Sequence, residues 1–293
     1  MQALWMLLAA FFFASMAVGI KIAGNSFNIF ELLFYRGLVG LALTALILRS
    51  HKISFKTTFP WMHAWRSLVG ILSMGAWFYA IAHLPIATAM TLNYTSGIWI
   101  AVFILTKAVW SGNGKKHALL ITTILSSFLG VVLVLHPTLN QSHFTAGLIG
   151  ILSGLGAGLA YLQITAMGKL GEPETRVVFY FAAGTAIAGL IGIIFVGFTP
   201  LSKVTWPAVL WVIPLGILAS LAQWCMTRAL TRGATLLVAN LQYAGILFAS
   251  FYGWMIFDDS LESQSWWGIF LIVSSGVIAT ALRNKHQAYP VKT

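Results

Sequence analysis

Residues 83–98 read HLPIATAMTLNYTSGI, and residues 231–246 read TRGATLLVANLQYAGI. Each is an apolar run broken by a short polar patch, with Asn93 opposite Asn240 at one register and Gly97 opposite Gly245 at the next. Unpartnered polar groups in hydrocarbon cost several kcal/mol each, so such a patch has to face protein or water. The same exception, written twice at an offset of about 145–148 residues, points to a chain made of two related halves.

Other stretches keep that offset. ELLFYRG at 31–37 lies over RVVFYFA at 176–182, Lys21 over Lys169, and LGVVLVL at 129–135 over SGVIATA at 275–281. Single matches between membrane helices mean little because their compositions are alike; the conserved order at a near-constant offset carries the argument. The halves are 1–140 and 141–293, the second ending in a short tail.

Composition sets the solvent. Of 293 residues, 59% are hydrophobic and only 8% charged, against roughly a quarter charged in soluble domains. A bilayer-crossing helix takes about 20 apolar residues. Ten segments qualify: 2–22, 28–48, 64–84, 86–108, 117–136, 145–168, 174–198, 206–230, 233–257 and 264–283. The expected fold is therefore an all-α integral membrane bundle of ten transmembrane helices. Five helices per half is an odd number, so the second half enters from the opposite side. This is the inverted-topology repeat of alternating-access carriers, with the substrate site near the midplane. The first segment has no basic n-region and no small-residue cleavage site, and reads as a retained helix.

The net charge of +11 is a topology signal. Arg49, Lys52, Lys56, Arg66, Lys107, Lys115, Lys116, Lys169, Arg176 and Arg232 fall on the side of the N-terminus. Lys21 and Lys203 fall opposite, with Asp258, Asp259 and Glu262. The positive-inside rule then places both termini in the cytoplasm of a cell inner membrane. These charges are split among short loops, which argues against nucleic-acid binding. Cys225 alone makes no internal disulfide and reads as a small buried hydrophobe. The seven histidines lack metal-ligand spacing, so no metal or cofactor is expected.

The residues also carry a family likeness. FASMAVGIKIAG, FELLFYRG, AWFYAIAHLPIATAMTLNYTS, MTRALTRGATLLVANLQY and the FDD at 257–259 together resemble the drug/metabolite transporter superfamily in its ten-helix, EamA-like branch. The likeness covers essentially the whole chain, and LGEPETRVVFYF at 170–181 looks most like the YddG-type amino-acid exporters. Two departures alter the cavity: Gly97 stands where the family often has proline, and Trp110-Ser111 where it often has Gly-Glu.

Candidate site residues follow from both sources. Asn93 and Tyr94 in the first patch, with Asn240, Gln242 and Tyr243 in the second, either line a substrate cavity or act as polar glue between helices. The resemblance implies a cavity lined by helices one, three, four, six, eight and nine, which adds Tyr79, Trp99, Tyr161 and Gln163. Glu31 lies in the first turn of its helix, where the dipole favours a carboxylate, and Arg36 lies two turns in. Five residues apart, they sit about 140° around the helix and do not bridge. An intramembrane arginine is functional by default: Arg36 either locks an outer gate onto helix-end carbonyls or meets substrate anions. In GEPETR, 171–176, Glu172 reads as a solvated helix cap or as a cytoplasmic gate element with Lys169 and Arg176.

The function expected is export of small amphipathic metabolites, most of all amino acids (aromatic ones included), by alternating access. With no Walker motif or soluble domain, the chain has no means of ATP hydrolysis. The alternatives are a carrier for a nucleoside, vitamin, drug or S-adenosylmethionine-like metabolite, or, in other classes, a lipid-modifying membrane enzyme or a channel. Coupling is open between facilitated diffusion and proton exchange. The partners are the substrate and the bilayer, for a monomer or weak dimer.

Overall fold

The structure is a computed structural model that describes residues 2–110, 122, 125–126, 129–131, 133, 143–233, 238, 241–259 and 262–288. Among these every regular element is a helix. They are α1 (Gln2–Ala23), α2 (Ile29–Ser50), α3 (Pro60–His83), α4 (Ile86–Tyr94), α5 (Ser96–Trp110), α6 (Phe144–Lys169), α7 (Glu174–Val196), a 3-10 turn at Leu201–Lys203, α8 (Trp206–Arg232), α9 (Ala244–Phe257) and α10 (Ser263–Ala288). Six stretches are long and apolar enough to cross a membrane: α1, α2, α6, α7, α8 and the run Ile86–Lys107 formed by α4 and α5. The chain is a multi-pass membrane protein. The expected segment 117–136 lies mostly outside the described residues.

Three boundaries differ from expectation, each for a local reason. The segment 86–108 is two helices, because the ladder lapses at Thr95. The Thr95 hydroxyl donates to the Leu92 carbonyl at 2.6 Å, and its N–H reaches the same carbonyl at 3.3 Å. Local Ser/Thr bonds of this kind compete with helical ones. The segment 233–257 likewise does not continue as one helix: α9 starts at Ala244, after a turn at Gln242–Tyr243 in which Gly245 N–H donates to the Gln242 carbonyl at 2.8 Å. Third, α3 begins at Pro60, which suits the first helical turn. The earlier start puts Arg66 well inside the helix instead of at its cytoplasmic lip, and it is 3% exposed.

The helices pack mainly across the two halves of the sequence: α2 on α7, α1 on α8, and α3 on α6. The α2–α7 contact is closest because glycine stands on both sides. A Cβ at Gly37 would run into the Ala186 backbone, and one at Gly189 would lie 2.7 Å from the Phe30 carbonyl. Large apolar side chains such as Leu46, Ile194, Phe195 and Trp254 point outward, suiting a lipid-facing perimeter.

The small residues on α2 and α7 are therefore predicted to be required for assembly. Gly37→Val or Gly189→Val should cost roughly 1–3 kcal/mol or more by overpacking. The same change at Gly75, where a Cβ would meet nothing within 4 Å, should be neutral. Melting temperature and monodispersity in detergent measure the difference.

Candidate functional site: a central cavity with two unopposed arginines

The two interruptions meet in the middle of the bundle. Gln242 donates from Nε2 to Ser96 Oγ at 2.7 Å and accepts from the Tyr161 hydroxyl at 3.0 Å. Tyr94 packs edge-on against Tyr243, ring centroids 6.5 Å apart, and its hydroxyl occupies the space a Cβ at Gly245 would need. Asn93 donates to Ser153 Oγ at 3.1 Å, and Ser73 Oγ donates to the Ser153 carbonyl at 2.7 Å, tying α3, α4 and α6 together.

Beside this junction lies a pocket whose roughly 440 Å³ of non-atom space includes the solvent at its mouth. Its lining combines aromatic and apolar side chains (Phe13, Met74, Trp77, Phe181, Met226) with polar ones (Arg66, Ser73, Asn93, Tyr94, Tyr161, Gln223). Arg66 stacks on Phe181 with its guanidinium carbon 4.0 Å from the ring centroid and donates to Gln223 Oε1 at 3.3 Å. Gly70, one turn along α3, leaves room for that guanidinium; a Cβ there would collide with it. Arg36 approaches the same ring, at 5.4 Å, within a smaller pocket that shares Phe181 and Gln223.

Each end of the bundle is tied by polar contacts. At the Glu31 end, Asn28 and Glu31 form a reciprocal capping box for α2. Glu31 also accepts from the Thr199 N–H at 3.1 Å and from its hydroxyl, which binds the start of α2 to the chain after α7. Gly197, at φ 85, makes that exit possible. Lys21 pairs with Asp259 at 2.8 Å, and Asp259 also accepts from the Ile86 N–H at 3.4 Å, joining α1, α4 and α9.

At the opposite end, Glu172 is 6% exposed. It contacts His63 Nε2 at 2.9 Å and Arg176 at 3.3 Å, and Arg176 donates to the Ser54 carbonyl at 2.8 Å. Burial by itself would raise the Glu172 carboxyl, but hydrogen bonds to His63 and Thr57 and the Arg176 charge hold it below its ordinary value. Glu172 is thus a buried clip, and the solvated-cap reading is corrected. Glu174 accepts from Arg232 at 2.7 Å.

The expected site residues separate into groups. Asn93, Tyr94 and Tyr161 line the cavity, with Gln242 and Tyr243 directly behind them. Tyr79 stacks on His83 at 4.1 Å, and neither it nor Trp99 or Gln163 lines the cavity. Asn240 lies outside the described residues. Lys169 is exposed and pairs with no acid among the described residues. Arg36 is buried on Phe181, and no helix-end carbonyl accepts from it among the described bonds. Sequence reasoning missed Arg66, Ser73, Trp77 and Gln223. Arg66 and Gln223 are legible as polar residues within the apolar runs 64–84 and 206–230. No group of three or more metal-ligating side chains occurs among the described residues.

Comparison with known proteins agrees with this architecture. The model of the EamA-like transporter family matches residues 1–136. An uncharacterized transporter of Helicobacter pylori (strain J99) is 30% identical over 284 residues, covering 93% of this chain and 92% of the relative. The pseudopaline exporter CntI of Pseudomonas aeruginosa (strain UCBPP-PA14) is 29% identical over 275 residues, 91% of each chain. A solved crystal structure shares the fold with TM-score 0.70 at 19% identity, over 97% of this chain and 98% of its own.

Two predictions test these assignments. Gln242→Ala strands the Tyr161 hydroxyl and Ser96 in the bundle centre and should cost about 1–3 kcal/mol, read as a lower melting temperature. For Glu172, the folded-state pKa lies below its ordinary value of 4.5. Its contribution is therefore complete above that value and is lost as pH falls through the lower folded value. Glu172→Gln should flatten that acid limb of the melting-temperature profile.

Proposed function

The chain belongs to the EamA-like transporter family, and from that premise we propose that it exports small amphipathic metabolites, amino acids or their close derivatives, by alternating access without ATP. That it is a membrane transporter of small metabolites follows from the family; the direction, substrate and cycle are our reading. The observation that carries it is the cavity beside two interrupted helices that touch at mid-bundle. Interrupted helices at mid-depth are how carriers present polar backbone to a ligand without exposing it to lipid.

The packing supports a two-repeat reading, with halves 1–140 and 141–293. The main cross-half contacts among the described residues come in mates: α1 on α8 mirrors α3 on α6, and α2 on α8 mirrors α3 on α7, while α2–α7 pairs equivalent helices. In this reading the Lys21–Asp259 and Glu31–Thr199 ties close the periplasmic side, and the His63–Glu172–Arg176 cluster closes the cytoplasmic side. Both termini are cytoplasmic and the membrane is the inner one. The likeness to a pseudopaline exporter favours the outward direction.

In proteoliposomes, a panel of labelled amino acids and their derivatives should include at least one that exchanges across the membrane. Asn93→Ala should reduce its flux by roughly tenfold with the protein level unchanged. Flux equal to empty liposomes for every member would sink the amino-acid assignment. A C-terminal alkaline phosphatase fusion should be inactive; periplasmic activity would invert the gates.

A further inference from the structure

We propose that the cavity is an oxyanion site: its substrate is a small organic anion of net negative charge whose carboxylate or phosphate is held by Arg66 beside Phe181, with the Arg36 charge in the adjoining pocket behind that ring. This rests on the carrier reading above and narrows its substrate class.

The charge balance comes first. The chain has six acidic side chains, and every one is described at an end of the bundle. Glu31, Glu172, Glu174 and Asp259 already have partners there. Asp258 caps the end of α9, and Glu262 precedes α10, exposed. None reaches the cavity. Arg36 and Arg66 are 4% and 3% exposed and flank the same phenyl ring. Two buried like charges without a counterion are costly, and an anion entering the cavity would offset that cost.

The hydrogen-bond inventory points the same way. Around the cavity, Arg66 Nε and Nη1, Trp77 Nε1 and the Tyr94 hydroxyl are buried without partners, as is Arg36 Nε in the adjoining pocket. The four nitrogen groups are donors only, and the hydroxyl can donate. A ligand that satisfies them must be rich in acceptors, and a planar guanidinium fork fits a carboxylate or phosphate edge with two parallel bonds. Phe13, Met74 and Met226 leave an apolar wall for the rest of the molecule. A neutral zwitterion fits poorly, since the cavity offers no carboxylate for an ammonium. An acidic amino acid or another metabolite with more acids than amines fits.

The test is thermal stability of the purified full chain in detergent with matched probes: glutamate against glutamine, succinate against succinamide, glycerol 3-phosphate against glycerol. At least one oxyanion should raise the melting temperature saturably while its neutral counterpart does not, and the preferred pair separates carboxylate from phosphate. Arg66→Gln or Arg36→Gln should weaken that probe about tenfold or more and should leave the empty protein no less stable, because a buried unopposed charge is removed. Arg66→Lys should bind in between, as a point charge without the fork. Equal stabilisation by neutral counterparts, no shift with any oxyanion, or a shift that survives both glutamine variants would overturn the proposal. The wild-type panel needs no variant to fold. The carrier reading fails separately, by an anion that binds yet does not cross in proteoliposomes.

Discussion

The constraint on which the structure depends is that backbone and side-chain polar groups inside hydrocarbon must be partnered by the protein itself. The chain breaks its helices twice, after Tyr94 and before Ala244, and brings the two breaks together. Each then shelters the other from lipid. Gln242 bonded to both Ser96 and Tyr161 is the chemical record of that arrangement. Gly154 and Gly245 let the Leu92 carbonyl and the Tyr94 hydroxyl come close, which seats the first break against α6 and α9.

Charge is handled in two ways. At the ends it is paired, and the pairs join elements distant in sequence: Lys21 with Asp259, Glu172 with His63 and Arg176, Glu174 with Arg232. In the middle it is left unopposed. The contrast is informative because the chain has acids to spend and places all of them at the ends. Stability alone would favour neutral residues at Arg36 and Arg66, so their presence speaks for a ligand.

Much of this was legible in the sequence. Apolar runs gave the helices, and the paired patches TLNYTSG and NLQYAG marked the two places where they fail. Asn93, Tyr94 and Tyr161, which those patches and the family resemblance single out, line the cavity. Tyr79 and Trp99 do not, because an aromatic residue in a membrane helix has the same signature whether it lines a site or packs. Hydropathy alone leaves Arg66 at the end of its helix among the topology charges, because it does not extend the helix back to Pro60 and so carry the arginine inward. Glu172 looked like a cap because its partner His63 is more than a hundred residues away in the sequence, and only folding brings the two together.

The glycine contact between α2 and α7 has a mechanical consequence. Gly37 against Ala186 and Gly189 against Phe30 and Phe34 hold two backbones at a separation that leaves no slack for sliding. In the alternating-access cycle proposed above, a rotation of one half against the other would turn about this seam. Arg36 lies one residue before Gly37, so the charge it holds sits on the seam itself and would move little in such a rotation. A substrate pinned near the seam would stay in place while the protein turned around it.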